Sequence, residues 1–231
     1  MASLGSRLET ALDLLNEYGR GELFADIGSD HAFLSIEVIK RNIVNTAIAA
    51  DINESPLLKG RQNAEALNLP IEFILSDGFD SFDGRKIDSA AICGMGGELI
   101  AKIVLRSESA KSAFLVLQPM SAQEELRKSF WDNGFQIIEE VFVVESGKAY
   151  TVMAVRFSGS KSDYDFLDLY LGKERVPSFE FSKYCEKILH SAEKRRLGLI
   201  ARNEPTNDID ELIAFCQTQT TNLSSGTNFL K

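Results

Sequence analysis

The feature that most constrains this chain is a pair of strand-like runs, residues 136–144 and 149–157, separated only by Glu145-Ser146-Gly147-Lys148. So short a connection joins only antiparallel strands, because a parallel crossover needs about a dozen residues or more. Upstream the pattern is different. Short runs rich in β-branched and other apolar residues at 22–27, 46–50, 71–75, 87–93 and 113–117 alternate with amphipathic stretches at 33–41, 55–67, 98–106 and 123–132. That alternation predicts parallel strands covered by helices on both faces. Ser55-Pro56 reads as an N-cap followed by a first-turn proline. The expected sheet is therefore five parallel strands closed by an antiparallel hairpin, unlike the common dinucleotide-binding sheet, which stays parallel to its edge.

After the hairpin comes Ser158-Gly159-Ser160-Lys161-Ser162, a run of small polar residues that predicts a boundary. Beyond it Phe181, Tyr184, Ile188, Ala192 and Leu199 fall at helical spacing in a long segment starting near Ser178, and a second helix is expected over residues 209–216. The expected domains are 1–158 and a small α-helical 163–218, with a Thr/Ser/Asn-rich flexible tail at 219–231.

Composition narrows the class. No apolar run reaches the length of a membrane span, and the first residues lack the basic flank and apolar core of a signal peptide, so a cytoplasmic protein without membrane association is expected. Cys93, Cys185 and Cys216 are scattered, and His31 and His190 are the only histidines. This predicts free thiols and neither a metal site nor a disulfide framework. The net charge is −9, yet residues 173–202 carry eight Lys and Arg against four Glu, leaving that window at +4 and the rest at −13.

In open α/β sheets the ligand edge is the carboxyl end of the strands. There the first strand closes on Ala25-Asp26-Ile27-Gly28-Ser29-Asp30-His31, the second on Asp51, and the third on Ser76-Asp77-Gly78. A glycine turn lets a ligand approach the main chain closely, but Asp26 and Asp30 together would repel a pyrophosphate. They would attract the ammonium and sulfonium of S-adenosylmethionine, with Asp51 accepting from ribose hydroxyls and Asp77 from the adenine amino group. The fourth strand runs into Cys93-Gly94-Met95-Gly96-Gly97, whose glycines imply either close backbone approach to a ligand or a tight turn into the next helix. Gln118, in Leu117-Gln118-Pro119-Met120, either presents its amide to a base edge or caps a turn.

These stretches resemble the bacterial tRNA (adenine-N1) methyltransferase family that acts on the adenosine at tRNA position 22. The likeness runs from Arg7-Leu8 through Asp26-Ile27-Gly28-Ser29-Asp30-His31-Ala32-Phe33-Leu34, Gly94-Met95-Gly96-Gly97, Leu117-Gln118-Pro119, Gly134-Phe135 and Gly147-Lys148-Ala149-Tyr150. The sequence departs from the family pattern where Ser35 replaces a usual Pro, Met120 a usual Asn and Thr151 a usual Glu, and where Ala50-Asp51-Ile52-Asn53-Glu54-Ser55-Pro56 differs from the commoner G-E-V-V-x-G-P. The resemblance implies a class I, Rossmann-like methyltransferase sheet with a coiled-coil-like helical extension, S-adenosylmethionine as cofactor and tRNA as substrate. The expected cofactor residues are Asp26, Gly28, Asp51, Asp77, Gly78 and Gly94, and Gln118 and Pro119 are the expected substrate-side residues. Adenine N1 attacks a sulfonium methyl without losing a proton, so an acceptor at the exocyclic amino group would stabilise the positive charge that develops. Asp30 is the candidate, with His31 orienting it or touching substrate; the alternative is that Asp30 caps the following helix. Lys194, Arg195 and Arg196 either grip tRNA phosphates or cover the apolar stripe of their helix.

Overall fold

The computed structural model describes residues 4–82 and 84–224, with side chains through Thr221. It divides into two units. The first comprises the chain through Val141 together with Thr151–Ser162; the second comprises Phe142–Tyr150 and the chain from Asp163 onward.

The first unit opens with α1 (Ser6–Tyr18), which buries Ala11, Leu12, Leu14 and Leu15, a spacing that places all four on one helical face. Strand and helix then alternate through β1 (Gly21–Ile27), α2 (Phe33–Lys40), β2 (Val44–Asp51), α3 (Glu54–Glu65) and β3 (Ile71–Leu75). They continue through β4 (Ser89–Gly96), α4 (Gly97–Leu105), a short α5 (Glu108–Ser112), β5 (Phe114–Ser121) and α6 (Gln123–Asp132). The hairpin strands are β6 (Phe135–Glu145) and β7 (Lys148–Phe157). Its two turn residues, Ser146 and Gly147, have φ of 51° and 75°, the positive pair that suits a tight hairpin turn.

The seven strands form one sheet in the order β3-β2-β1-β4-β5-β7-β6. Pairing is parallel from β3 to β5, and β7 runs antiparallel to β5, with Leu115 opposite Val155 and Leu117 opposite Met153. This is the sheet expected from the strand rhythm. The chain winds outward from β1 to β3, then returns to place β4 on the other side of β1. The loops leaving β1 and β4 therefore diverge, which opens a crevice at their carboxyl ends. Ala25, Ile27, Ala90, Ile92, Leu115 and Leu117, all almost inaccessible to solvent, fill the core beneath it.

One local expectation is corrected. Ser55 does not cap α3; the helix begins at Glu54 behind Asn53. Asp51 Oδ1 accepts from the Asn53 backbone N–H at 2.7 Å, drawing the chain into the helix two residues early.

In the second unit α7 (Phe166–Leu171) carries a capping box between Asp165 and Asp168. The long α8 (Phe179–Ala201) starts on Ser178, whose Oγ accepts from Phe181 N–H at 3.0 Å. Phe181, Tyr184, Cys185, Ile188 and Ala192 of α8 pack with Ile209, Leu212 and Cys216 of α9 (Asn207–Ser224) and with Tyr170 and Leu171. The thiols of Cys185 and Cys216, distant in sequence, meet in this packing and are unoxidised. The α9 helix continues to Ser224, past the boundary expected at residue 218. The hydroxyls of Thr218 and Thr221 satisfy the carbonyls of Ala214 and Gln217 one turn back, and Ser182 Oγ donates to the Gln219 carbonyl at 2.8 Å. The rest of the expected tail, residues 225–231, lies outside the described residues. Among the described residues, no helix is long and apolar enough to cross a membrane, and no three His, Cys, Asp or Glu gather as metal ligands.

Candidate functional site

The crevice between the ends of β1 and β4 holds a cavity of about 250 Å³. Asp26, Gly28 and Asp30 line it from one strand end, Gly94 and Cys93 from the other, and Gln118 from β5. Arg7 and Leu8 of α1 and Phe33 and Leu34 of α2 complete the wall. The structure thus brings Asp26, Gly28, Asp30, Gly94 and Gln118 together; Asp51, Asp77, Gly78 and Pro119 are not among the lining residues.

Asp26 is buried, and its Oδ2 accepts from Ser29 Oγ at 2.7 Å and Ser35 Oγ at 3.0 Å. Burial pushes its carboxyl above the usual carboxylate range. The two hydroxyls and the Ser35 backbone N–H pull the other way, and nearby Asp51 adds repulsion. A carboxylate desolvated in this way, beside a cavity, is suited to a cationic ligand. Ser35 is fully buried and directs its hydroxyl to Asp26.

The loop after β1 is held in an unusual shape. Gly28, His31 and Ala32 all have positive φ, at 73°, 61° and 56°. A Cβ on Gly28 would come within 2.1 Å of Met95 Cε, so this turn is closed around the β4 loop. Non-glycine residues in the left-handed region cost about 1–2 kcal/mol each and persist only where surroundings enforce them. Here the enforcement comes from α3: Asn63 Nδ2 donates to the His31 carbonyl at 3.1 Å, and Gly60 lets the helix approach Ala32. The outcome is an Asp30 side chain that is 77% exposed, with His31 Nε2 3.4 Å from its Oδ1 and the His31 ring stacked on Phe33. The N-cap position of α2 belongs to Ala32 and carries no side-chain hydrogen bond, so Asp30 does not cap that helix.

The β4 glycines divide in role. Gly97 is structural, since a Cβ there would meet the Ala122 carbonyl at 2.2 Å. Gly94, with φ of 82° and open space at its Cβ, faces the cavity. Its N–H donates to Gln118 Oε1 at 3.2 Å, the oxygen that also accepts from Arg7 Nη1 at 3.2 Å, while Gln118 Nε2 donates to the Pro119 carbonyl. Gln118 is buried with both ends of its amide engaged, which corrects the expectation that it faces a base edge. It instead braces the Gly94 turn against α1. Pro119, whose carbonyl also accepts from Gln123 Nε2, belongs to the same brace.

Asp51 ends β2, half-buried, with its Oδ1 engaged by Asn53. Asp77 is exposed, and Arg106 Nη2 reaches both its Oδ1 and its carbonyl at 2.8 Å, so α4 clamps the Asp77–Gly78 turn. Sequence inspection did not single out the roles of Ser29, Ser35 and Arg106. A serine two residues into a helix carries no local signal of a partner nine residues back.

In the second unit the three basic candidates separate. Arg195 donates to the Tyr170 hydroxyl and lies over that ring, and Arg196 pairs with Asp210 across α8 and α9. Both guanidinium groups thus have partners within the helical packing, as the alternative to phosphate contact expects. Lys194, exposed on the same turn, has no such bond.

Residues 4–153 match a family model described as a methyltransferase domain. The chain is 30% identical over 203 residues to the tRNA (adenine(22)-N(1))-methyltransferase of Bacillus subtilis, a match covering 81% of this chain and 82% of that one. Among solved structures, a candidate tRNA (m1A22) methyltransferase of Streptococcus pneumoniae in complex with S-adenosyl-L-methionine is 28% identical, covers 94% of this chain and 100% of its own, and superposes with a TM-score of 0.76. The B. subtilis M1A22 tRNA methyltransferase superposes at 0.74 with 25% identity, covering 97% of this chain and 99% of that one. With its five parallel strands, closing hairpin and acidic strand ends, the chain belongs to the methyltransferase-domain family and, within it, to the tRNA (adenine(22)-N1)-methyltransferases.

Proposed function

We propose that this protein transfers the methyl group of S-adenosylmethionine to N1 of adenosine 22 in tRNA, in the cytoplasm. The observation that carries the reading is the cavity at the β1/β4 crevice, where a buried carboxylate, an exposed one and two glycine turns converge. The residues fit the cofactor. At about 250 Å³ the cavity suits its amino-acid end rather than the whole molecule. Asp26 receives the ammonium, Gly28 and Gly94 offer close main-chain approach, and Asp51 and Asp77 receive the ribose and adenine along the open edge. Bound there, S-adenosylmethionine supplies an electrophilic methyl group on a positively charged sulfur.

The chain's own residues position and stabilise. Adenine N1 uses its lone pair, so no base is needed at N1; the charge developing on the ring is met by an acceptor at the exocyclic amino group. Asp30 takes this role, exposed at the cavity mouth with its helix-capping alternative removed, and His31 orients it. Most of the acceleration comes from presenting an unstacked base to the methyl group in line. The substrate RNA meets Lys194 on the helical unit, supported by its exposure on the +4 segment. The deciding experiment incubates the purified protein and S-adenosylmethionine with tRNA carrying adenosine or guanosine at position 22, followed by nucleoside mass spectrometry. 1-Methyladenosine in the first tRNA alone is expected. Cofactor binding with no methylation of any tRNA would move the reading to a small-molecule methyltransferase or a noncatalytic binder.

A further inference from the structure

We infer that Arg7, in the first turn of α1, is the cation that receives the carboxylate of the cofactor's amino-acid end, making α1 part of the binding site. The inference rests on the reading that the cavity takes S-adenosylmethionine. That end of the molecule is a zwitterion. Asp26 answers its ammonium, but Asp26 and Asp30 would both repel its carboxylate, so a compensating cation is expected in the same space. Among the described residues lining the cavity, Arg7 is the only Lys or Arg.

Its placement supports the role. Arg7 Nη1 donates to Gln118 Oε1 at 3.2 Å and to Met120 Sδ at 3.1 Å. Because the same Gln118 oxygen holds the Gly94 N–H, the guanidinium is fixed to the glycine turn that lies on the cavity wall. A planar guanidinium so oriented matches a carboxylate's two oxygens, which a flexible lysine does less well. The Cys93 thiol reports the charge arrangement. Burial is the main cause that pushes it up to about 12; Asp26 pushes the same way and Arg7 opposes it. Opposite charges therefore flank Cys93, as a bound zwitterion needs.

The test compares S-adenosylmethionine with its decarboxylated analogue, which keeps the ammonium, sulfonium, ribose and adenine. Calorimetry on the parent protein should show about 10- to 100-fold weaker binding of the analogue, the scale of a charge-assisted hydrogen bond. Arg7→Met should bind S-adenosylmethionine weakly by a similar factor yet bind the analogue as the parent does, and Arg7→Lys should recover part of the discrimination. Equal affinity of the parent for both ligands would overturn the assignment without touching the cofactor reading. So would an Arg7→Met variant that weakens both ligands equally, which would mark Arg7 as merely structural. Unchanged S-adenosylmethionine affinity with weakened tRNA binding would overturn it in favour of a phosphate contact. A parent that binds neither ligand would instead fail the cofactor reading itself.

Discussion

Replacing Asp26 by Asn separates what this residue does for the fold from what it does for the ligand. The carboxyl is buried, and its proton affinity is raised chiefly by that burial despite two serine hydroxyls. A folded-state value above the unfolded one, about 3.9, means that the native state binds the proton more tightly. Below the unfolded value Asp26 is neutral in both states and costs nothing. As the pH rises through the window between the two values its ionisation destabilises the fold, and above the folded value the penalty is complete. Asparagine keeps an oxygen for Ser29 and Ser35 and never ionises, so the variant should gain stability relative to the parent as pH rises through that window. Binding should move oppositely. Losing a charged hydrogen bond to the ammonium costs about 1.5–3 kcal/mol, or roughly 10- to 150-fold in affinity. Urea unfolding of both proteins at pH 4, 5 and 8, with calorimetric titration of S-adenosylmethionine at pH 8, measures both effects. An Asp26→Asn variant that binds the cofactor like the parent, or whose relative stability falls as pH rises, would refute the reasoning.

The other expectations concern chemistry and RNA contact. Asp30→Asn should slow single-turnover methylation by about 100-fold while cofactor and tRNA affinities stay within about twofold; loss of cofactor affinity would make Asp30 a binding residue. Asp51→Ala should weaken S-adenosylmethionine binding by roughly 1–3 kcal/mol, and unchanged calorimetric affinity would remove it from the site. Lys194→Ala should flatten the slope of log tRNA affinity against log salt by about one without changing the melting temperature, whereas Arg196→Ala should cost at most about 1 kcal/mol of stability, because its ion pair with Asp210 is half exposed. A Lys194 variant with the parent's salt slope would place the RNA elsewhere.

The parts of this fold legible in the sequence were those with short-range causes. The hairpin follows from the distance between two strand-like runs, and the cavity at the β1 and β4 ends lies where glycines and acids close those strands. The short α5 and α7 helices leave no mark in the sequence, because five or six residues give too little periodicity to read. The start of α3 was misplaced because Asn53 and Ser55 are both good capping residues, and only Asp51's bond to the Asn53 N–H chooses between them. At the site, the engagement of Gln118 is hidden in the sequence because the partners of its amide oxygen lie 24 and 111 residues away. The charge of the basic segment likewise carries no sign of Tyr170 or Asp210, the partners of Arg195 and Arg196.

The left-handed pair His31–Ala32 also makes α3 a mechanical part of the loop that carries Asp30. Its conformation is maintained by Asn63 and by the close approach of Gly60, where a Cβ would lie 2.9 Å from the Phe73 ring and 3.0 Å from Ala32 Cβ. The aim of Asp30 is thus borrowed from a helix whose Gly60 and Asn63 are not themselves proposed to touch cofactor or RNA. If Asp30 acts as proposed, a substitution at Gly60 or Asn63 should lower methylation without touching the cavity, and an inhibitor that shifted α3 outward should disarm the loop without competing for the cavity.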